Sequence, residues 1–243
     1  MRANSDDAGY AVSLCRIVLL AVIGILLCVA VVEHPQDRLV AQLVSYHRVL
    51  VLLGQHLSIV ASASALAILT AVPAGVLLTR PRFRAWTPRL IGLARIGQAV
   101  PGLAVIALSV GLLGVGTMTA ILAMGLCSLL PILNNTLTGI NAVDPALLAA
   151  AHGMGVAPRH VLTRVELPLA LAMIMAGIRS AVTINIGAAV LAAFVGGGGL
   201  GELIITGNTI SRVQVMVLGA ALPMLMALAA DAVFDMIDHG MKL

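Results

Sequence analysis

Long apolar runs separated by short polar segments form the dominant pattern of this 243-residue chain. Three stretches contain no Asp, Glu, Lys or Arg: 17–32, 49–79 and 96–143. A helix needs roughly 20 consecutive apolar residues to cross a bilayer. The third stretch therefore has room for two helices, with a break at 114–117. The pattern predicts six transmembrane helices, at about 15–32, 52–78, 98–113, 118–137, 169–195 and 213–236.

The predicted fold is an all-α, polytopic transmembrane bundle, and the composition agrees with it. Hydrophobic residues make up 60% of the chain and charged residues only 10%, whereas soluble domains carry about 25% charged residues. No small-residue cleavage pattern follows the first apolar run, so we expect it to be a retained span rather than a signal peptide. The formal net charge of +4 gives no indication of a nucleic-acid partner. The three cysteines lie in apolar runs without CxxC spacing, which disfavours a metal site or a disulfide framework.

The placement of basic residues predicts the orientation in the membrane, because positively charged loops stay in the cytoplasm. Six spans place the basic loops after the second and fourth spans, together with both termini, on one side. We therefore expect a multi-pass protein of the cell (inner or plasma) membrane with both termini in the cytoplasm. The residues on that side are Arg2, Arg80, Arg82, Arg84, Arg89, Arg95, Arg159, Arg164 and Lys242.

The cytoplasmic segment 141–168 has the sequence signals of a compact helix–turn–helix. Asp144 followed by Pro145 predicts a helix start, since Asp caps free N–H groups and Pro fits the first helical position. Gly153 and Gly155 then permit a sharp reversal. We expect Pro158 to open a second short helix. Pro168 is expected to interrupt that helix.

The residues of this segment also suggest a docking surface. Small side chains at three successive alanines would let a partner approach closely, and four basic residues would form a charged rim. The alanines are Ala149, Ala150 and Ala151, and the basic residues are His152, Arg159, His160 and Arg164.

At this point the chain resembles the permeases of ABC importers, whose cytoplasmic loop has the pattern E-A-A, three residues, G, nine residues, I-x-L-P. Ala149-Ala150-Ala151, Gly155 and Val165-Glu166-Leu167-Pro168 match this spacing at every step. The sequence departs from the pattern at Ala149, in place of Glu, and at Val165, in place of Ile. The resemblance implies that the loop is a coupling helix that docks into a groove of an ATPase subunit. The residues implied in this coupling are Ala149, Ala150, Ala151, Gly155, Arg159, Leu167 and Pro168.

Further motifs resemble the osmoprotectant subfamily, which imports glycine betaine, choline or carnitine. They are Ala99-Val100-Pro101-Gly102, the run 130–140, the run 167–181 and the glycine-rich run 194–201. The resemblance covers about 51–238 and implies the type I ABC permease fold. It divides the chain into a tail, span and loop at 1–48, a permease domain at 49–238 with its coupling loop at 141–168, and a tail at 239–243. The partners it implies are ABC ATPase subunits that bind ATP-Mg, an extracytoplasmic binding protein, and a second or related permease, but no nucleic acid.

Polar groups inside apolar spans are candidates for a translocation path or gate, because such groups avoid lipid. For the asparagines, an interhelical hydrogen bond is the alternative; for Arg179, it is snorkelling to the cytoplasmic surface. Asp231, Asp235 and Asp238 are expected to form a solvated face at the cytoplasmic end of the last span. The path or gate candidates are Gln98, Pro101, Asn134, Asn135, Asn185 and Arg179.

The sequence contains no Walker A pattern and no cluster of metal ligands, so we expect a transport subunit that is not itself an enzyme. Aromatic residues are only 2% of the chain, which disfavours an aromatic cage for a quaternary amine. Selectivity is then expected to reside in the binding protein. Two alternatives stay open: a type I permease for another small solute such as methionine, and a secondary transporter. The second alternative would require internal repeats and buried ionisable pairs, which the sequence does not clearly show.

Overall fold

A computed structural model describes residues 2–92 and 100–241, and the regular elements in these ranges are all helical. A π-helical turn, Leu162–Glu166, and a 3₁₀ turn, Ala189–Val195, flank the helix α8. The helices are α1 Arg2–Glu33, α2 Arg38–Leu43, α3 Tyr46–Leu78, α4 Gly102–Leu113, α5 Thr117–Asn141, α6 Pro145–Gly153, α7 Pro158–Val161, α8 Leu167–Ala188, α9 Gly201–Thr209 and α10 Val213–Met241.

Five helical stretches in the described ranges are long and apolar enough to cross a membrane. The predicted third span corresponds to α4, which has 12 residues and a length of about 18 Å at ~1.5 Å per residue. Its predicted first residues, Gln98 among them, lie outside the described residues. The five stretches are Gly9–Glu33, Tyr46–Leu78, Thr117–Asn141, Pro158–Val195 and Val213–Gly240.

The chain nevertheless crosses the bundle between α3 and α5. Arg80, just after α3, pairs with Glu166, just before α8. The backbone N–H of Gly116, just before α5, donates to the carbonyl of Val195 at 2.8 Å. Val195 ends the helical run that begins at Pro158, so Arg80 and Gly116 lie at opposite ends of the bundle. The stretch from Arg80 to Gly116 therefore passes from one end of the bundle to the other, and α4, which is shorter than a span, is the apolar helix described within it.

The two ends of the bundle differ in charge. We call the end that holds Arg80 and Glu166 the basic end; α3 and α10 finish there and α1 begins there. At the opposite end, the starts of α3 and α10 are joined to neighbouring segments by polar contacts. These contacts are Tyr46 with Glu33 at 2.9 Å, Arg48 with Glu202 at 2.7 Å, and Arg212 with Asp37 at 2.6 Å.

Small residues set the close packing of α3, α5 and α8. A Cβ atom at Gly75 of α3 would lie 2.7 Å from Cβ of Thr136, and one at Gly139 of α5 would lie 2.8 Å from Cβ of Met173. Such positions let helix backbones approach closely, as is usual in membrane bundles. In contrast, α1 packs mainly along α10 and leaves much of its apolar surface exposed.

The glycine-rich run forms a tight turn between α8 and α9 at the opposite end. Gly196, Gly198 and Gly199 have φ of +70°, +78° and +86°, a region that side chains other than glycine rarely adopt. The backbone N–H of Gly199 donates to the side-chain oxygen of Gln55 at 3.0 Å. A Cβ atom at Gly201 would lie 2.0 Å from the carbonyl oxygen of Val190. The run is therefore a structural turn and a packing contact.

Candidate functional site

The helix α6 begins as the sequence predicts. The side chain of Asp144 accepts a hydrogen bond from the N–H of Ala146 at 2.8 Å, and Pro145 occupies the first turn. The helix predicted to start at Pro145 is observed as Pro145–Gly153. This helix start therefore depends on local sequence alone.

The reversal after α6 depends on one glycine. Gly155 has φ of +75°. Its N–H donates to the carbonyl of His152 at 2.9 Å, and the N–H of Val156 donates to the carbonyl of Ala151 at 3.2 Å. These two bonds form a Schellman-type C-cap. Gly153, which the sequence pairs with Gly155 in the reversal, is instead the last residue of α6, so its predicted role is wrong.

The expected interruption at Pro168 is also wrong. Pro158 does open the short helix α7, but the chain stays helical through the π turn Leu162–Glu166 and into α8. Pro168 is the second residue of α8 and follows the π turn directly, so the helix accommodates the proline beside a local change in its hydrogen-bond pattern. A π turn contains one more residue than an α turn, and here it joins the coupling segment to α8 without a break.

The residues implied in coupling do not all face the same way. Ala149, Ala150, Gly155, Arg159 and Pro168 are exposed, whereas Leu167 is half-buried and Ala151 is buried. This segment also exposes two large apolar side chains that the sequence analysis did not single out. They are Leu147, which is exposed, and Met154, which is 76% exposed at the reversal.

An ion pair that the sequence does not indicate connects this segment to α3. Glu166, in the π turn, is only 6% exposed. Its carboxylate accepts two hydrogen bonds from the Arg80 guanidinium, and the bond from Nη1 measures 3.2 Å. Arg80 also donates to the carbonyl of Val76 at 3.3 Å. This fork-to-fork contact fixes both partners in orientation.

The asparagines occupy different environments. Asn185 of α8 is fully buried, and its side-chain amide donates to the hydroxyls of Ser64 and Ser128 at 3.0 and 3.1 Å. Asn185 therefore makes interhelical hydrogen bonds, and its place in a translocation path stays a prediction. Asn135 donates to the carbonyl of Pro131 within its own helix at 2.9 Å, and Asn134 is half-buried beside it.

Arg179 belongs to an ion cluster that joins three helices. Its guanidinium donates to Asp231 at 2.6 Å and to Asp235 at 2.7 Å, and Asp238 lies 3.7 Å away. Arg16 of α1 lies 3.5 and 3.6 Å from the first two of these carboxylates. The three acids share a face of α10 as expected, but they are ion-paired within the chain and do not form a simple solvated face.

Of the path or gate candidates Gln98 and Pro101, only Pro101 lies within the described residues. Pro101 is exposed and caps the start of α4, so it lies outside a helix interior. Beside it is a cavity of about 260 Å³ between α4, α5 and α8. Its lining is mainly apolar and includes Val100, Gly102, Met124 and Cys127.

Residues 71–243 match the family described as binding-protein-dependent transport system inner membrane component. The chain belongs to this family. The permease is 44% identical to the choline transport system permease protein OpuBB of Bacillus subtilis over 76% of its own length and 84% of that protein. It is 42% identical to the carnitine transport permease protein OpuCD of Listeria monocytogenes, over 72% and 78% of the two chains.

A third relative is an osmoprotectant permease, and a solved structure shares the fold. The permease is 39% identical to the osmoprotectant import permease protein OsmY of Salmonella typhimurium, over 75% and 78% of the two chains. Its fold matches an inward-facing structure of the MetNI methionine ABC transporter with a TM-score of 0.71, at 20% identity, over 80% of this chain and 96% of the other. The permease thus has the type I ABC importer fold and is a multi-pass transport subunit.

Proposed function

We propose that the permease forms the translocation path of an ATP-driven importer and couples to a separate ATPase through the segment from Asp144 to Pro168. The exposed, capped helix α6 with Met154 at its tip supports this proposal most directly. An apolar side chain that is 76% exposed at a reversal is suited to insertion into a partner's groove. ATP-Mg would bind to the ATPase, and this chain would supply the moving contact.

The proposed solute is an osmoprotectant with a quaternary ammonium group, such as choline, carnitine or glycine betaine. The relatives named above support this class. The path in this chain would bind the solute weakly, since only six of its residues are aromatic and an aromatic cage needs several together. An extracytoplasmic binding protein would then provide selectivity, and a second or related permease would complete the pore.

The proposed orientation places the basic end in the cytoplasm. The exposed basic residues of the segment after α3 and of α6–α8 lie at that end, and α1 begins and α10 finishes there. The opposite end carries Arg38, Arg48 and Arg212, and two of these are paired with acids. This distribution has the asymmetry of positively charged cytoplasmic loops.

Movement of the coupling segment would reach the bundle by two routes. The π turn connects α7 to α8 without a break, and the Arg80–Glu166 pair connects the same turn to the end of α3. Displacement of α6 by an ATPase would therefore act on α3 and α8 together. These two helices and α5 enclose the buried Asn185 contact, so they would move as one unit during alternating access.

Reconstitution with the ATPase and the binding protein encoded beside it tests this function. We expect uptake of choline, carnitine or glycine betaine that requires ATP and continues when ion gradients are collapsed. Methionine uptake by the same assembly would favour the other ABC alternative. Uptake without ATP that stops on collapse of an ion gradient would favour a secondary transporter and contradict the proposal.

Cysteine labelling tests the orientation separately. In a variant whose native Cys15, Cys28 and Cys127 are replaced by Ser, Met154→Cys at the basic end should react with a membrane-impermeant maleimide only after cells are opened, while Gln42→Cys at the opposite end should react in intact cells. Both parent side chains are exposed. The reverse pattern would place the coupling segment outside the cell, where no ATPase could reach it.

Point variants at the tip test docking. Met154→Glu should lose the ATPase in pull-down, because it puts a charge into an apolar contact. Met154→Leu keeps an apolar side chain of similar volume and should retain the ATPase. Equal retention by both variants would remove Met154 from the interface.

A further inference from the structure

The segment that follows α3 lies on the surface of the basic end and runs from a turn through the 3₁₀ helix Arg84–Trp86 into the helical residues 87–92; we call this segment the turn. Arg80 points inward to Glu166, whereas residues 81–86 are all exposed. The N–H of Phe83 donates to the carbonyl of Arg80 at 2.9 Å. The hydroxyl of Thr87 donates to the carbonyl of Leu78, also at 2.9 Å. These bonds hold the exposed turn against the end of α3.

This turn carries a concentrated positive charge. Arg82, Arg84 and Arg89 are all exposed. No acidic residue occurs in the sequence between Asp37 and Asp144. The three guanidinium groups therefore have no acidic neighbour within 40 positions along the chain on either side, and they form a basic surface next to the end of a membrane-spanning helix.

Exposed aromatic and apolar side chains alternate with these arginines. Trp86 is 57% exposed, and Phe83 and Leu90 are exposed as well. The guanidinium of Arg82 lies 5.8 Å from the Phe83 ring centroid, and that of Arg89 lies 5.7 Å from the Trp86 ring centroid. Aromatic rings favour the headgroup level of a bilayer, and neighbouring arginines there reach the phosphates.

We propose that the turn 82–90 binds the headgroups of anionic phospholipids at the basic end. The combination of charge and exposed rings favours anionic lipid over an acidic protein surface as the partner. An acidic protein surface would satisfy the arginines but would leave Trp86, Phe83 and Leu90 in water, whereas a lipid interface accommodates both. Only the assignment to the cytoplasmic leaflet rests on the proposed function.

Binding at this turn would also fix the position of the end of α3. Arg80 lies two positions before Arg82, the first arginine of the turn, and it holds the buried Glu166 of the π turn. Anionic lipid would therefore anchor the same helix end that receives movement from the coupling segment.

Trp86 is the only tryptophan of the chain, so its fluorescence reports on this turn alone. The full-length permease is reconstituted in bilayers of phosphatidylcholine and phosphatidylglycerol, with bromine on the acyl chains of one lipid at a time near the headgroup. We expect brominated phosphatidylglycerol to quench Trp86 with an apparent affinity at least about fivefold above that of brominated phosphatidylcholine, which corresponds to the attraction of one surface arginine. The preference should decrease as salt is raised from 0.05 to 0.5 M.

The matched variants separate charge from folding. The triple substitution R82Q/R84Q/R89Q should reduce the preference to about onefold, while R82K/R84K/R89K keeps the charge and should keep most of the preference. Equal quenching of the wild-type protein by the two lipids would overturn the proposal. A second result would also overturn it: the Gln variant loses the ATPase and the Lys variant retains it, while the lipid preference is the same in both. The turn would then be a protein contact. Neither result depends on solute uptake.

Discussion

Arg80 and Glu166 lie 86 positions apart in sequence, yet they form the contact that joins the end of α3 to the coupling segment. The carboxylate is buried and the guanidinium is partly exposed. A carboxylate in this position requires a cation, because an unpaired buried charge is costly. This pair therefore fixes how the coupling segment is attached to the bundle.

Replacing Glu166 with Gln should lower the free energy of unfolding by about 2 kcal/mol, because a charge-assisted fork is lost and Arg80 keeps no acid. Thermal unfolding of the purified permease in detergent measures the change. Arg164→Gln is the control, since Arg164 is exposed in the same π turn. Equal losses in the two variants would mean that the pair adds no stability.

Replacing Arg179 with Gln should destabilise the permease by about 1–2 kcal/mol, because Asp231 and Asp235 would then keep Arg16 alone and the nearby Asp238 would lose its contact with Arg179. Asp238→Asn removes only the contact at 3.7 Å and should cost less. Adding Asp231→Asn to Arg179→Gln should restore part of the stability by removing one like charge. A further loss in the double variant would contradict this account of the cluster.

Asn185→Ala should cost about 1 kcal/mol, since an interhelical hydrogen bond in a membrane contributes ~0.6 kcal/mol on average and Asn185 makes two. Unfolding in mixed micelles measures this. The half-buried Asn134→Ala is the matched control. If Asn185→Ala instead abolished uptake at unchanged stability, the translocation-path interpretation would be favoured.

Gly201→Ala should prevent correct packing of α9, because its Cβ atom would lie 2.0 Å from a backbone carbonyl that cannot move aside easily. The free energy of unfolding should fall by more than about 3 kcal/mol. Gly111→Ala in α4 places its Cβ in open space and should be neutral or stabilising by about 0.5–1 kcal/mol. The yield of monodisperse protein and its melting temperature compare the two variants.

The contact between Asp37 and Arg212 should make stability depend on pH in a specific direction. Hydrogen bonds from the Val40 N–H and from Arg212 lower the pKa of Asp37. A folded-state pKa below the unfolded value of about 3.9 stabilises the protein above that pH, and the contribution is lost as pH falls through the folded-state pKa.

The difference in melting temperature between wild-type protein and Asp37→Asn should therefore be constant from pH 7 to 5. It should shrink below pH 4, towards pH 3. Arg212→Gln should reduce the same difference, because it removes one of the two stabilising partners. A difference that grows on acidification would contradict the assigned cause.

Local signals in the sequence predicted local structure well. Asp144 with Pro145 predicted the start of α6, and Gly155 predicted the reversal, because capping and left-handed backbone depend on neighbouring residues. Five of the six predicted spans were confirmed for the same reason, since the apolar length of a helix is a property of one segment. The third was predicted too long, since α4 has only 12 residues in the described part of the chain.

Features that depend on packing between distant segments were missed. The interruption expected at Pro168 is absent because a π turn accommodates the proline and buries Glu166 against Arg80. The acids of α10 were expected to be solvated because their partner, Arg179, lies 52 positions before Asp231. No periodicity in either helix indicates which faces of α8 and α10 meet.

The π turn Leu162–Glu166 also sets the angular phase of everything before it. An ordinary α-helix advances by about 100° per residue, and a π turn absorbs one surplus residue without ending the helix. Deleting a single residue there would let a regular helix run into α8 and would rotate α6 and Met154 about its axis, because a π turn and an α turn rotate the chain by different amounts per residue. The direction in which the permease presents its docking helix thus depends on a one-residue insertion.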